Sequence, residues 1–157
     1  MMKMYPDPVS RTSFKYPLGG LLQLQGVIRE DELRNPTMLD ANGEVCLIVV
    51  KNGNTTGVTI GRATGIESFV REYNDFGIHS TSIEVAIHSY SHKDGAFSAP
   101  GDSGSIIANA NSRIVGIITG GTGQRESTDV TYASPYYWVE NRIKAAFPNS
   151  YLYPITA

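Results

Sequence analysis

Cysteine is nearly absent from this chain. Cys46 is the only one in 157 residues, so no disulfide can form within it. The expectation that follows is a core that holds without staples and a cytoplasmic, reducing setting. Cys46 itself sits among β-formers in Val45-Cys46-Leu47-Ile48-Val49-Val50 and reads as a buried, inert thiol. Long apolar runs are also missing, and that one is far short of the roughly 20 residues a spanning helix needs. The opening Met1-Met2-Lys3-Met4-Tyr5-Pro6-Asp7-Pro8 has no apolar stretch of the kind a secretory leader carries. Charge of one sign is scarce: 13 Lys and Arg against 15 Asp and Glu leave a net charge of −2, without blocks. This excludes the basic footprint of a nucleic-acid or anionic-membrane binder. Histidine is the scarcity with most consequence, because His79, His88 and His92 are the only three and none precedes Lys51.

What is present suits one domain with an ordinary core, at 41% hydrophobic residues. Residues 1–44 read as an N-terminal arm and connection, extended over its first twenty residues. Leu21 to Ile28 (LLQLQGVI) alternates as a strand would, and 30–44 is polar with room for one helical turn. From residue 45 to 157 the pattern is short strands between Gly and Asn turns. They are Val45–Lys51, Thr55–Arg62, Gly65–Tyr73, Ser82–Tyr90, Ser105–Ala108, Arg113–Thr119 and Val130–Ala133. Asn52-Gly53-Asn54 closes the first hairpin. One helix is expected at the end, with Ser134 as N-cap, Pro135 in the first helical position and Pro148 beyond its stop. Tyr136, Val139, Ile143 and Ala146 would form its docking face. The fold class expected is all-β: a six-stranded antiparallel Greek-key barrel with a C-terminal α-helix and an extended N-terminal arm.

The chemistry concentrates at Pro100-Gly101-Asp102-Ser103-Gly104-Ser105. A serine hydroxyl needs a base within hydrogen-bond reach, and donors placed where a carbonyl oxygen becomes an oxyanion. A glycine two residues before the serine lets the backbone approach a substrate, so that two N–H groups can converge on it. Alone, such a tetrapeptide is also an ordinary turn. The flanks add Val115-Gly116-Ile117-Ile118-Thr119-Gly120-Gly121, Val130-Thr131-Tyr132 before the helix, and Lys51-Asn52-Gly53-Asn54-Thr55-Thr56-Gly57-Val58-Thr59-Ile60-Gly61 upstream.

With these four segments in order over roughly residues 45–147, the chain resembles the second barrel of the chymotrypsin-fold, trypsin-like serine peptidases. The look is closest to cysteine-poor fungal members. The resemblance implies peptide-bond hydrolysis with Ser103 as nucleophile, and an oxyanion hole from the N–H groups of Gly101 and Ser103. It implies a specificity pocket flanked by Thr119, Gly120 and Gly121, and a structural role for Asp102. Phe97 and Asp129 fall near positions that shape the pocket floor. Asp129 there would select a basic side chain, or else it is an exposed turn residue beside Ser127 and Thr128.

The chain departs from that family where the base is concerned. The family's histidine and its aspartate come from a first barrel, upstream of residue 45, where this chain has no histidine. Upstream aspartates are Asp7, Asp31 and Asp40, none in apolar surroundings. His79 reads as a turn residue, and His88 and His92 as solvated. His88 and His92 would share a metal only on a helix, and no Cys or carboxylate cluster completes a site. No cofactor or metal is implied. Two functions follow. One is the nucleophile-bearing half of a serine endopeptidase, inactive alone and awaiting a first-barrel domain. The other is a non-catalytic pseudo-peptidase acting as a binding module. Partners would be a peptide or protein substrate, the missing barrel, or a second copy through the face a twin barrel would cover. The segment with Phe14, Tyr16, Leu18, Leu21 and Leu22 could fold over that face instead.

Overall fold

Strand-formers run from Val45 to Val50 and pairing continues through Asn52 and Gly53, so the first hairpin of the barrel turns at Asn54-Thr55-Thr56, two residues later than the expected Asn52-Gly53-Asn54. The computed structural model describes residues 4, 19–77, 79–91, 93–122 and 129–152. Seven strands and two helices are seen among them: α1 (Glu30–Arg34), β1 (Met38–Leu39), β2 (Val45–Gly53), β3 (Gly57–Tyr73), β4 (His79–Ser89), β5 (Ile106–Asn109), β6 (Ile114–Gly121), β7 (Val130–Pro135) and α2 (Tyr136–Ala146). All strand pairings are antiparallel, in the order β1-β2-β3-β4-β7-β6-β5. β5 then pairs back onto β2, through Val49–Asn109, Val50–Ala108 and Lys51–Ile107, and closes six strands into a ring. The crossover from β4 to β5 is what makes the connectivity a Greek key. The expected all-β barrel with a C-terminal helix is therefore present.

Alternation along the strands puts Val49, Ala63, Val85, Ile87, Ile107, Val115, Ile118 and Ala133 in one buried cluster with Phe97. Ile28 and Leu33 join the same cluster from upstream of the barrel. Ile28 donates its N–H to the Ile114 carbonyl (2.8 Å), and Ile114 donates to that of Gly26 (3.0 Å). Arg113 grips Glu32 with both terminal nitrogens, at 2.9 and 2.6 Å. Residues 25–34 thus pack against the barrel through Ile28 and Leu33, while Leu21 is 80% exposed. Phe14, Tyr16 and Leu18 lie outside the described residues.

Three expectations need correction. Leu21 to Ile28 is not a strand: Gly26 turns the chain at φ +79°, and only Val27 makes an isolated bridge, parallel to Ile114. The two strands read across Thr55–Tyr73 are one, because the break at Gly65 is a bulge between Ala63 and Glu67 and the pairing with β4 continues beyond it. Ser134 does not cap α2. Pro135 occupies the N-cap position, and the Ser134 hydroxyl turns instead to Glu84. Of the helix face, Tyr136 is buried, whereas Ile143 is 40% exposed and Ala146 is open, so only the first turns dock.

The placement of Leu33, 2% exposed, gives a test of whether the upstream segment belongs to the barrel's folding unit. Leu33→Ala should lower the unfolding free energy by about 2–5 kcal/mol in urea titration. A change below roughly 0.5 kcal/mol, in the range of a surface substitution, would place that segment outside the unit.

Candidate active site

The turn bearing Ser103 is built around a buried carboxylate. Asp102 and Lys51 both have side chains with 0% exposure, and Lys51 Nζ lies 3.1 Å from Asp102 Oδ2. Lys51 sits at the inward register of β2, two residues beyond Val49. Its charge is tolerable there only because it is paired and bonded. It also donates to the Gly57 carbonyl at 3.0 Å and to the Thr56 hydroxyl. Asp102 accepts N–H bonds from Thr55 (2.7 Å), Thr56 (3.2 Å) and Ala99 (3.1 Å), and a hydroxyl bond from Thr56 (2.6 Å). Burial alone pushes this carboxyl upward. The bonds from Thr56, Thr55, Lys51 and Ala99 outweigh it and hold the group far below the usual carboxylate range. Gly53 is required by the same packing, since a Cβ there would lie 2.3 Å from Asp102 Oδ1.

With Asp102 locked inward, its neighbour Ser103 points outward and is exposed. Gly101 stands at φ +101°, a conformation that favours glycine, and a Cβ on it would meet Thr55 Oγ1 at 2.4 Å. Within the turn, Asp102 N–H donates to the Ala99 carbonyl and Ser105 N–H to that of Asp102, at 3.0 and 3.1 Å. Gly104 N–H donates to the Ile118 carbonyl at 2.8 Å, fixing the turn to β6. The N–H groups of Gly101 and Ser103 have no partner among the described residues, nor has the Ser103 hydroxyl. Two free donors beside an exposed hydroxyl can accept an oxyanion.

The remaining sequence-nominated residues are spread along β6 and β7. Thr119 is exposed and lies in a bulge of β6, where the register with β7 shifts between Ile118 and Gly120. Gly120 and Gly121 pair with Tyr132 and Thr131. Asp129 precedes β7, its carboxylate beside Gly121 (3.6 Å from a Cβ built there), and its buried Oδ1 has no hydrogen-bond partner among the described residues. Phe97 is 1% exposed and faces the barrel interior, its ring 6.0 Å from Lys51 Nζ.

His79 opens β4, exposed, with its ring edge-on to Tyr73. His88, half-buried on β4, is a cross-strand neighbour of Arg62, and burial followed by that guanidinium lowers its pKa. His92 lies outside the described residues. Cys46 is buried, its thiol pushed up to about 11 chiefly by burial, in keeping with an inert group. Among the described residues, no cluster of His, Cys, Asp and Glu could hold a metal ion. Two residues escaped the sequence reading. Lys51 could have been found as a lone cation in an apolar strand at core register. Glu84 had no such signal, because it falls on the polar phase of β4 and is nevertheless 4% exposed.

No protein-family profile matches the chain, and no curated protein matches it. Among solved structures, it is similar to the chymotrypsin of Cellulomonas bogoriensis at 25% identity and a TM-score of 0.43, covering 65% of this chain and 47% of that one. It is also similar to protease A of Thermobifida fusca at 23% identity and a TM-score of 0.41, covering 73% and 51%. The chain spans about half the length of these two proteins.

Removing one partner of the buried pair should be costly. Lys51→Met is expected to lose about 3–5 kcal/mol in urea unfolding near neutral pH. The depressed Asp102 pKa also has a pH signature. Its contribution is complete above the unfolded carboxylate value, about 3.9, and is lost as pH falls from there toward the folded value. Glu32, held low first by Arg113, and Asp40, held low against burial by the N–H groups of Glu44 and Asn42 and by Arg62, act in the same direction. The difference between wild type and Lys51→Met therefore isolates the pair: it should shrink between pH 5 and pH 2. A difference constant over that range would refute the assignment.

Proposed function

We propose that this chain carries the nucleophile-bearing barrel of a serine endopeptidase, with acyl transfer through Ser103, and that it does not turn over alone. The observation that carries this is the conjunction at one turn of an exposed Ser103 hydroxyl with two free N–H donors, held by the buried Asp102–Lys51 pair. The order of the flanking segments supports the same reading. In it, the N–H groups of Gly101 and Ser103 stabilise the oxyanion. Thr119, Gly120 and Gly121 flank the pocket and offer backbone bonds to an extended peptide. Asp129, with an unpartnered oxygen beside Gly121, selects a basic side chain.

Among the described residues the base is the group without a counterpart: neither His79 nor His88 bonds Ser103. The isolated chain should hydrolyse peptide and ester substrates no faster than Ser103→Ala. Mixing with a separately expressed first-barrel domain of a trypsin-like peptidase should then produce Ser103-dependent hydrolysis, preferring substrates with Lys or Arg before the scissile bond. Ser103-dependent turnover by the chain alone would show that it already holds its base. Absence of any gain on mixing would favour a binding module.

A further inference from the structure

β4 carries a buried carboxylate that the reaction scheme above leaves unused. Glu84 is 4% exposed, yet among the described residues no Lys, Arg or His pairs with it. Its two contacts are hydroxyls, Thr119 Oγ1 to Oε2 and Ser134 Oγ to Oε1, both at 3.3 Å. These exceed the 2.5–3.0 Å usual for such bonds. The single Thr119 proton is moreover contested by the Tyr132 carbonyl, 3.1 Å away. An ionised carboxylate has about four acceptor positions, so Glu84 is a poorly satisfied acceptor where satisfaction is normally demanded.

Its place relative to Ser103 gives that deficit a direction. The Ile118 carbonyl accepts from Gly104, and Ile118 N–H donates to Ser105 at 3.0 Å, so Ile118 is the residue that clamps the nucleophile turn. Thr119 follows it, displaced by the β6 bulge, exposed above and in contact with Glu84. Bulges commonly re-aim a side chain beside an active site. When Thr119 donates to Tyr132, Oε2 of Glu84 is left without its proton donor on the side of the exposed Thr119.

We propose that Glu84 is the positioning carboxylate of this site, accepting the N–H of an imidazole whose other nitrogen takes the Ser103 proton. This rests on the serine-hydrolase reading, and it moves the acid from a separate first barrel onto β4, so that among the described residues the site wants one group and not two. The step balances. Ser103 Oγ bonds to the carbonyl carbon as its proton passes to the imidazole. The carbonyl π pair becomes the oxyanion held by Gly101 and Ser103, and the imidazolium returns the proton to the leaving group as the scissile bond breaks. Glu84 accepts the ring N–H throughout, fixing the tautomer.

Free imidazole and p-nitrophenyl acetate provide the test, with Ser103→Ala subtracting the solution reaction. Wild type should show a saturable, Ser103-dependent increment with imidazole. Glu84→Gln should reduce it by about tenfold or more, and Glu84→Asp should restore part of it. The increment should rise with pH through a midpoint above the pKa of free imidazole, because a nearby carboxylate favours the imidazolium, and Glu84→Gln should bring that midpoint down. An increment that needs Ser103 but is unchanged in Glu84→Gln overturns the role of Glu84 and leaves the serine-hydrolase reading standing. Absence of any Ser103-dependent increment overturns the role of Glu84, and the first-barrel mixing experiment then decides the serine-hydrolase reading by itself. Should Glu84→Gln not fold, nitrogen-15 NMR of imidazole titrated into wild type decides: a bound pKa above the free value supports the proposal. An unshifted or lowered value, or no saturable binding, ends it.

Discussion

The ion pair between Lys51 and Asp102 is the constraint on which the candidate site depends. Neither group would be tolerated at 0% exposure without the other. Their pairing forces a particular arrangement: the β2–β3 turn must close over the Ser103 turn so that Thr55 and Thr56 can supply the remaining donors. A buried pair of this kind is weak evidence for stability, since a well-packed apolar pair could serve as well. Its consequence here is positional. With Asp102 drawn inward and its own N–H spent on Ala99, Gly101 and Ser103 on either side stay exposed, their N–H groups without a partner among the described residues.

The barrel buries a second carboxylate in a different state. Asp102 accepts five bonds, one of them from a lysine, and is fully satisfied. Glu84 accepts two long hydroxyl bonds and has no cation. Asp102 lies within the Ser103 turn, and Glu84 is linked to it through Thr119 and Ile118. The contrast separates an acid that holds the backbone from one with acceptor capacity to spare, and this is why β4, which no motif singled out, enters the account of the site.

The segment before the barrel has its own physical role. Ile28 and Leu33 add to the buried cluster of the six-stranded ring, tied by the Glu32–Arg113 fork and the backbone exchange at Ile114. Because Ile114 opens β6, the strand that clamps the Ser103 turn through Ile118, the upstream segment and the site share one structural support.

Local chemistry made much of this legible from residues alone. Runs rich in β-branched residues and the proline after α2 are near-neighbour signals, and the strands from residue 45 onward and the helix lie close to where they point, with the first turn moved on to Asn54-Thr55-Thr56. The Gly101 to Ser103 turn was legible for the same reason, since a left-handed glycine before an exposed serine is encoded within three residues. Pairing was not. Leu21 to Ile28 alternates like a strand, but strand formation needs a partner along its length, and β6 offers only one bridge. Burial of polar groups was not legible either. Lys51 and Asp102 are 51 positions apart, Glu84 and Ser134 are 50, and whether each is solvated or enclosed depends on which strands the Greek-key crossover lays side by side. The sequence by itself determined most of the elements and the turn that carries Ser103. The ring closure decided which charges are buried, what satisfies them, and which one is left with acceptors to spare, because those outcomes belong to the assembled sheet and to no single strand.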